Sequence, residues 1–93
     1  MTDVYYRKTD LLEAELGAEI VALDADSGIC FGFNEVASTV WRLLERPRSS
    51  DEIRRVLEVE YDVGSDQCRE ELSELLDDLV GKGVIGVRPA DES

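Results

Sequence analysis

Side chains suited to acid–base, nucleophilic or metal chemistry are scarce in this 93-residue sequence. It contains no histidine, which removes histidine-dependent triads, most zinc sites and the commonest general acid–base group. Carboxylates are plentiful, but the pairs Glu70-Glu71 and Asp77-Asp78 are adjacent in sequence. The members of such a pair point to different sides of a helix, so we interpret them as a solvated surface. We expect no enzyme activity and no cofactor.

One carboxylate pattern has the outline of a calcium loop. Asp24, Asp26 and Glu35 stand where such a loop carries its first, second and last oxygen ligands. Gly28, however, replaces a further oxygen ligand, and Ile29 replaces the obligatory glycine. The glycines also lack the spacing of a phosphate-binding loop. The segment is therefore predicted to be a plain hairpin turn, without metal or nucleotide.

The two cysteines, Cys30 and Cys68, lie far apart and form no CxxC pair. This usage predicts reduced thiols in a cytoplasmic protein rather than a disulfide framework. The N-terminus has no apolar signal region, and no segment approaches the length of a membrane span.

The net charge of −12 comes from 22 acidic against 10 basic residues. Nucleic acids and anionic membranes are bound mainly through Lys and Arg, so neither is an expected partner. An acidic surface favours basic or neutral partners. With 43% hydrophobic residues, the chain is predicted to form one domain over residues 1–93, with an ordered core of about residues 9–87.

Alternation predicts the first strand. Leu12, Ala14 and Leu16 share one face, and Glu13 and Glu15 share the other. This pattern is typical of a half-buried strand whose acidic face is in water. Residues 1–8 are interpreted as a loose lead-in.

Two further strands are predicted, over residues 20–23 and over Ile29–Phe33, joined by a hairpin loop that ends at Gly28. Ile29, Phe31 and Phe33 share one face, and Cys30 and Gly32 share the other. Short turns between the three strands indicate an antiparallel meander, with its third strand at one edge.

Helices are predicted to follow. Asn34 can cap the first helix, which ends before Pro47. Ser49 and Glu52 form a capping box that begins the second.

The third helix is predicted to be capped by Ser65 or Asp66 and to end at Gly81 and Gly83. Residues 84–87 can add a short final strand, before a frayed tail. The predicted fold class is therefore α+β: a three-stranded antiparallel sheet followed by a three-helix bundle, with winged helix-turn-helix character.

A DNA-reading third helix would expose basic or amide side chains. Its exposed positions instead hold one arginine, Arg69, among six acids. An acidic winged-helix regulator remains an alternative, but an unfavoured one.

The strand Ile29–Phe33 is more informative than the third helix. It has neither charged residues nor proline, which are the usual protections of an exposed sheet edge. A helix could cover that edge, or a second copy could pair with it to form a homodimer. The functional interpretation is strand addition by an extended peptide.

The order of segments resembles the PqqD-like family over residues 11–87. The resemblance is carried by the runs F-G-F-N-E-V-A-S-T-V-W-R-L-L, D-E-I, E-Y-D-V and K-G-V-I. Members of this family bind the leader of a ribosomally made precursor peptide and present its core to a modifying enzyme. The resemblance implies that the leader pairs with the third strand and lies against the third helix. The implied peptide-binding residues are Ile29, Cys30, Phe31, Gly32 and Phe33 on the strand and Arg69, Leu72, Ser73, Leu76 and Val80 on the helix.

The chain most resembles the stand-alone leader-binding proteins of lasso-peptide pathways. This resemblance rests on its small size and on the run L-D-A-D-S-G-I-C-F-G-F-N-E-V. That resemblance implies two partners, the precursor leader and a separate cysteine leader peptidase. Pyrroloquinoline quinone synthesis, with its radical SAM enzyme, and other modified-peptide pathways remain alternatives.

Overall fold

The structure, a computed structural model, describes residues 3–8 and 11–89, and within them it holds six strands and three helices. In chain order these are β1 (Asp3–Arg7), β2 (Leu12–Leu16), β3 (Glu19–Asp24), β4 (Ile29–Phe33), α1 (Glu35–Leu43), β5 (Arg48–Ser49), α2 (Ser50–Tyr61), α3 (Ser65–Gly81) and β6 (Ile85–Pro89). A mixed α/β fold with a three-stranded antiparallel sheet and three helices is confirmed. Its winged helix-turn-helix character stays a prediction.

The strands form two sheets rather than the single one predicted. The expected meander is present, with strand order β2-β3-β4 and antiparallel pairing throughout. The second sheet has the order β5-β1-β6, also antiparallel, and it places Tyr5 opposite both Arg48 and Val87.

The interpretation of residues 1–8 as a loose lead-in is wrong for β1, which is the central strand of the second sheet. Its run Val4-Tyr5-Tyr6 is rich in strand-forming side chains. Its strand partners, β5 and β6, come much later in the chain, so no local pattern announces the pairing. Residues 1 and 2 of the lead-in, and residues 90–93 of the tail, lie outside the described residues.

Strand β2 is turned over relative to the prediction. In the register of the sheet, Glu13 and Glu15 lie opposite Ala22 and Ile20, the buried residues of β3. Residues opposite one another point to the same side of a sheet, so the two glutamates lie on the helix side. The apolar side chain of Leu16 is left in water. Every residue of β2 is exposed, so the expected half-buried strand is not found.

Arginine partners explain this orientation. Arg7 of β1 forms an ion pair with Glu13 at 3.5 Å, and Arg42 of α1 forms one with Glu15 at 3.0 Å. Arg7 also donates to the carbonyl oxygen of Trp41, and its guanidinium lies 4.2 Å from the centre of the Trp41 ring. These contacts join both sheets to α1.

The helix boundaries follow local capping chemistry. Asn34 Oδ1 accepts a hydrogen bond from the Ala37 amide at 2.9 Å, as predicted. The predicted capping box of Ser49 and Glu52 begins α2. The cap predicted for α3 is wrong, because Gly64 occupies the N-cap position and no side chain caps the helix.

The core lies where the inner face of the β2-β3-β4 sheet meets the helices. Its centre is the fully buried Trp41, whose ring centroid is 5.4 Å from that of Phe33. The other buried apolar side chains are Ile20, Ala22, Ala37, Val40, Leu44, Ile53, Leu57, Cys68, Leu72, Leu76, Leu79, Val84 and Ile85. Among the described residues, no helix is both long enough and apolar enough to span a membrane.

Candidate functional site

Strand β4 is an edge of its sheet. It pairs with β3 from Ile29 opposite Asp24 to Phe33 opposite Ile20, and no described strand lies on its other side. In an antiparallel ladder, backbone N–H and C=O groups point alternately toward and away from the neighbouring strand. The backbone groups that point away from β3 therefore form an unpaired row, on a strand without charged side chains, and this row can accept a further strand.

The two faces of β4 differ, as the alternation predicted. Phe33 is buried and Phe31 is half-buried against the core, whereas Ile29 is 53% exposed. Cys30 and Gly32 on the opposite face are exposed. The inner face therefore becomes progressively more accessible from Phe33 toward the hairpin loop.

One helix residue fixes the C-terminal end of this edge. The hydroxyl of Ser38, a fully buried residue of α1, donates to the Phe33 carbonyl at 3.0 Å. The hydroxyl oxygen of Ser38 also accepts a hydrogen bond from the Ile20 amide at 2.9 Å. The strand is thus tied to α1 at Phe33, and Asn34 then begins the helix. The free edge is the stretch from Ile29 to Gly32.

An apolar cavity of about 330 Å³ lies among the three helices, and it includes Val36 in the first turn of α1, just after β4. Val36, three residues beyond Phe33, forms one wall, and residues of α2 and α3 form the others. The residues that line it are Val36, Leu57, Tyr61, Val63, Cys68, Glu71, Leu72 and Leu75. Glu71 is the only charged group among them, so the cavity suits an apolar side chain.

The predicted helix residues lie mainly on another side of α3. Arg69, Leu72, Ser73 and Leu76 all line a smaller cavity of about 170 Å³. Its remaining walls come from β1 and α2, namely Tyr5, Ser50, Asp51 and Arg54. Val80, the fifth predicted residue, is half-buried and packs against the core. The structure therefore brings four of the five helix residues together, and only Leu72 is shared with the cavity beside Val36. Their role stays a prediction.

Apart from Leu72, sequence reasoning missed the residues that line the cavity beside Val36. Leu75 and Cys68 belong to the apolar stripe of α3, and a stripe alone does not separate core residues from cavity walls. The usable signal was the position of Val36, which closely follows the strand and therefore must lie near its end.

The two thiols occupy contrasting environments. Cys30 is exposed on β4, and Cys68 is buried at the cavity wall; both are free. Burial raises the pKa of the Cys68 thiol, and the carboxylate of Glu58 raises that pKa further. Cys68 is therefore an inert wall residue rather than a nucleophile. Within residues 3–8 and 11–89, no cluster of acidic or cysteine side chains is arranged to hold a metal ion.

Comparison with known proteins places this geometry in a family. The family described as "Coenzyme PQQ synthesis protein D (PqqD)" matches residues 19–85, from the start of β3 to the start of β6. No curated protein matches the chain. A solved structure, "TbiB1 in Complex with the TbiA(beta) Leader Peptide", is similar at a TM-score of 0.74 and 25% sequence identity, covering 95% of this chain and 98% of that one. Because the family match spans well over half of the sequence, the chain belongs to the PqqD family.

Proposed function

We propose that the protein is a non-catalytic binding protein for the leader segment of a ribosomally made precursor peptide. The leader adds as a strand to β4 and is thereby delivered to a modifying enzyme. The observation that carries the proposal is the uncharged, unpaired edge of β4 beside an apolar cavity. The similarity to TbiB1, whose structure holds a leader peptide, supports it.

Backbone pairing supplies a general part of the affinity. A peptide alongside Ile29 to Gly32 exchanges hydrogen bonds only with the groups of β4 that point away from β3. Each such bond contributes about 0.5–1.5 kcal/mol net, so a short ladder needs further contacts to hold a peptide firmly.

Side-chain contacts supply the remainder and the specificity. Alternate side chains of an added strand lie on the helix side, where Phe31 and the exposed part of Ile29 form an apolar floor. An apolar leader side chain can enter the cavity beside Val36 and remove about 25 cal/mol per Å² of apolar surface from water. Of the contacts proposed from α3, Leu72 borders the cavity beside Val36, whereas Arg69, Ser73 and Leu76 line the cavity toward β1 and α2. Those three residues and Val80 stay proposed contacts on the strength of the family resemblance. The net charge of −12 favours a leader that carries basic residues.

The proposal also names the biosynthetic pathway that the protein serves. We favour lasso-peptide biosynthesis, with a cysteine leader peptidase as the partner enzyme. The two free thiols fit the reducing cytoplasm. Pyrroloquinoline quinone synthesis and other modified-peptide pathways are the alternatives, and the genes beside the coding sequence distinguish them.

Calorimetric titration with the cognate leader peptide tests the function. Phe31→Asp places a charge on the proposed floor and should weaken binding at least tenfold, which corresponds to about 1.4 kcal/mol. Glu45→Ala, at an exposed position after α1, is the matched control and should leave affinity within about twofold. Circular dichroism establishes that both variants are folded. Equal affinities of folded Phe31→Asp and wild-type protein would contradict docking on β4.

A further inference from the structure

Among the residues that the structure describes, Glu71 is the only charged one that lines the cavity beside Val36. The floor of this cavity is apolar and buried, since Leu57, Cys68 and Leu72 are each at most 4% exposed. Val36 is 39% exposed and Glu71 is exposed, so these two residues lie at the mouth. The carboxylate therefore stands where an apolar floor opens to solvent.

Within the described part of the chain, no basic side chain forms an ion pair with this carboxylate. The positions three and four residues away on α3, which are its neighbours on the helix surface, hold no lysine or arginine; they are Gln67, Cys68, Glu74 and Leu75. Arg54, on the neighbouring helix α2, pairs instead with Asp51 and Glu58. Glu71 accepts a hydrogen bond from the side-chain amide of Gln67 at 3.2 Å, but that group is neutral. Glu71 is therefore a negative charge without a counter-charge.

Filling the cavity changes the surroundings of this carboxylate. An apolar leader side chain that enters beside Val36, here called the anchor, displaces water from the mouth. A carboxylate that loses water without gaining a partner raises the free energy of the complex. A cation at the mouth offsets that cost, and a charge-assisted hydrogen bond is stronger than a neutral one. The cavity therefore favours leaders that bring a cation and disfavours leaders that bring none.

The cation must belong to a leader residue close to the anchor. An extended peptide advances about 3.3 Å per residue, so residues within two positions of the anchor lie within about 7 Å of it along the strand. Lysine and arginine carry their charge on long apolar stems, which can cover Val36 at the mouth while the charged group stays near water. A tyrosine hydroxyl can also donate to Glu71, but it neutralises no charge on a protein of net charge −12.

We propose that Glu71 selects leaders that carry a lysine or arginine within two residues of the anchor, by pairing with that cation at the mouth of the cavity. The proposal rests on the proposed function and adds the chemistry of the recognised segment, which is one apolar side chain with one basic side chain next to it. Backbone pairing with β4 does not depend on the leader sequence, so these two side chains supply the discrimination between leaders.

The experiment compares wild type with Glu71→Gln and with the matched control Glu70→Gln. Each variant replaces one carboxylate of α3 by an amide of nearly the same shape, and each changes the net charge equally. Both positions are exposed, and glutamine has a helix propensity close to that of glutamate, so the substitutions leave the fold intact. Glu70 lines neither of the two cavities that border α3. Each protein is titrated by calorimetry with the cognate leader and with leader variants in which each lysine or arginine in turn is replaced by glutamine.

We expect Glu71→Gln to bind the cognate leader at least about tenfold more weakly than wild type, and Glu70→Gln to bind it within about twofold of wild type. One leader variant should show the same loss with wild type, yet bind Glu71→Gln as well as the unaltered leader does, because the two substitutions remove one interaction. The lysine or arginine replaced in that variant should lie within two residues of the apolar position whose alanine substitution weakens binding most.

Equal affinities of Glu71→Gln and Glu70→Gln for the leader would overturn the proposal. A loss in Glu71→Gln that is coupled to no lysine or arginine of the leader would also overturn it, by assigning Glu71 to a neutral donor. Tight binding of wild type to a cognate leader without any basic residue would exclude the cation. Failure of the proposed function would appear separately, as a wild-type chain that binds no leader, and the role of Glu71 would then fall with it.

Discussion

The Ser38 hydroxyl donates to the Phe33 carbonyl at 3.0 Å and so joins the first helix to the end of the edge strand. Both residues are buried, and the same hydroxyl also accepts from the Ile20 amide. The bridge lies between Phe33 and its partner on β3, so it ties the end of the edge strand to α1 on the paired side and leaves the other side of β4 open. It also fixes the edge strand against the helix whose Val36 lines the adjoining cavity.

Removing that hydroxyl should destabilise the protein. In Ser38→Ala, the Phe33 carbonyl and the Ile20 amide lose a buried partner, which costs about 1–3 kcal/mol. Urea unfolding followed by circular dichroism measures this loss. Ser73→Ala, at an exposed helix position, is the control and should change the free energy of unfolding by less than about 0.5 kcal/mol. Equal stability of the two variants would refute the role of the bridge.

Arg7 should matter more for stability than Arg42, although each forms an ion pair with a glutamate of β2. Arg7 alone also donates to the Trp41 carbonyl and stacks on its ring. We expect Arg7→Ala to cost about 2 kcal/mol, from a charged hydrogen bond and a cation–π contact. Arg42→Ala, an exposed pair, should cost less than about 1 kcal/mol. Thermal unfolding of both variants distinguishes them, and a reversed order would be incompatible with Arg7 joining the sheets.

Close packing against Gly86 should make that position intolerant of alanine. A Cβ atom there would lie 2.5 Å from the ring of Tyr6, its partner in the β1–β6 pair. The ring must then turn away, at a cost of about 1–3 kcal/mol for overpacking. Gly32→Ala is the matched control, because a Cβ at Gly32 meets no atom within 4 Å. Denaturant midpoints that are the same for both variants would show that the ring adjusts without cost.

The two thiols should differ in reactivity and in their effect on stability. Exposed Cys30 should react with a thiol reagent at pH 8, and buried Cys68 only after unfolding. The raised pKa of Cys68 means that the folded state holds this proton more tightly than the unfolded state. The resulting stability is present below the ordinary thiol pKa and is lost as pH rises through the raised value. Urea unfolding at pH 8 and at higher pH should show this loss, and Cys68→Ala should reduce it. Rapid labelling of both thiols in the folded protein would contradict the burial of Cys68.

Features set by neighbouring residues could be predicted from the sequence. The uncharged alternation of Ile29–Phe33, the Asn34 cap and the Ser49–Glu52 capping box are all local, and the structure contains each of them. The N-cap of α3 was the exception, because Gly64 precedes two better capping residues.

Features set by distant partners could not be predicted. Strand β1 pairs with strands far along the chain, so its short aromatic run gave no sign of a second sheet. Alternation in β2 identified two faces but not which one turns inward. That choice depends on Arg7 and Arg42, which pair with Glu13 and Glu15 from other elements. The sequence also could not predict which side of α3 faces the peptide, because the apolar stripe of α3 contributes to two cavities and Leu72 borders both.

The most direct measurement of leader docking is an NMR titration of labelled protein with the cognate leader peptide. Strand addition predicts that the amides of Ile29 to Gly32 shift the most, and that those pointing away from β3 gain protection from hydrogen exchange. Smaller shifts are expected around the cavity beside Val36 and along α3. Saturating binding that leaves the β4 amides unchanged, with shifts confined to β1, β5 and β6, would contradict the proposed function.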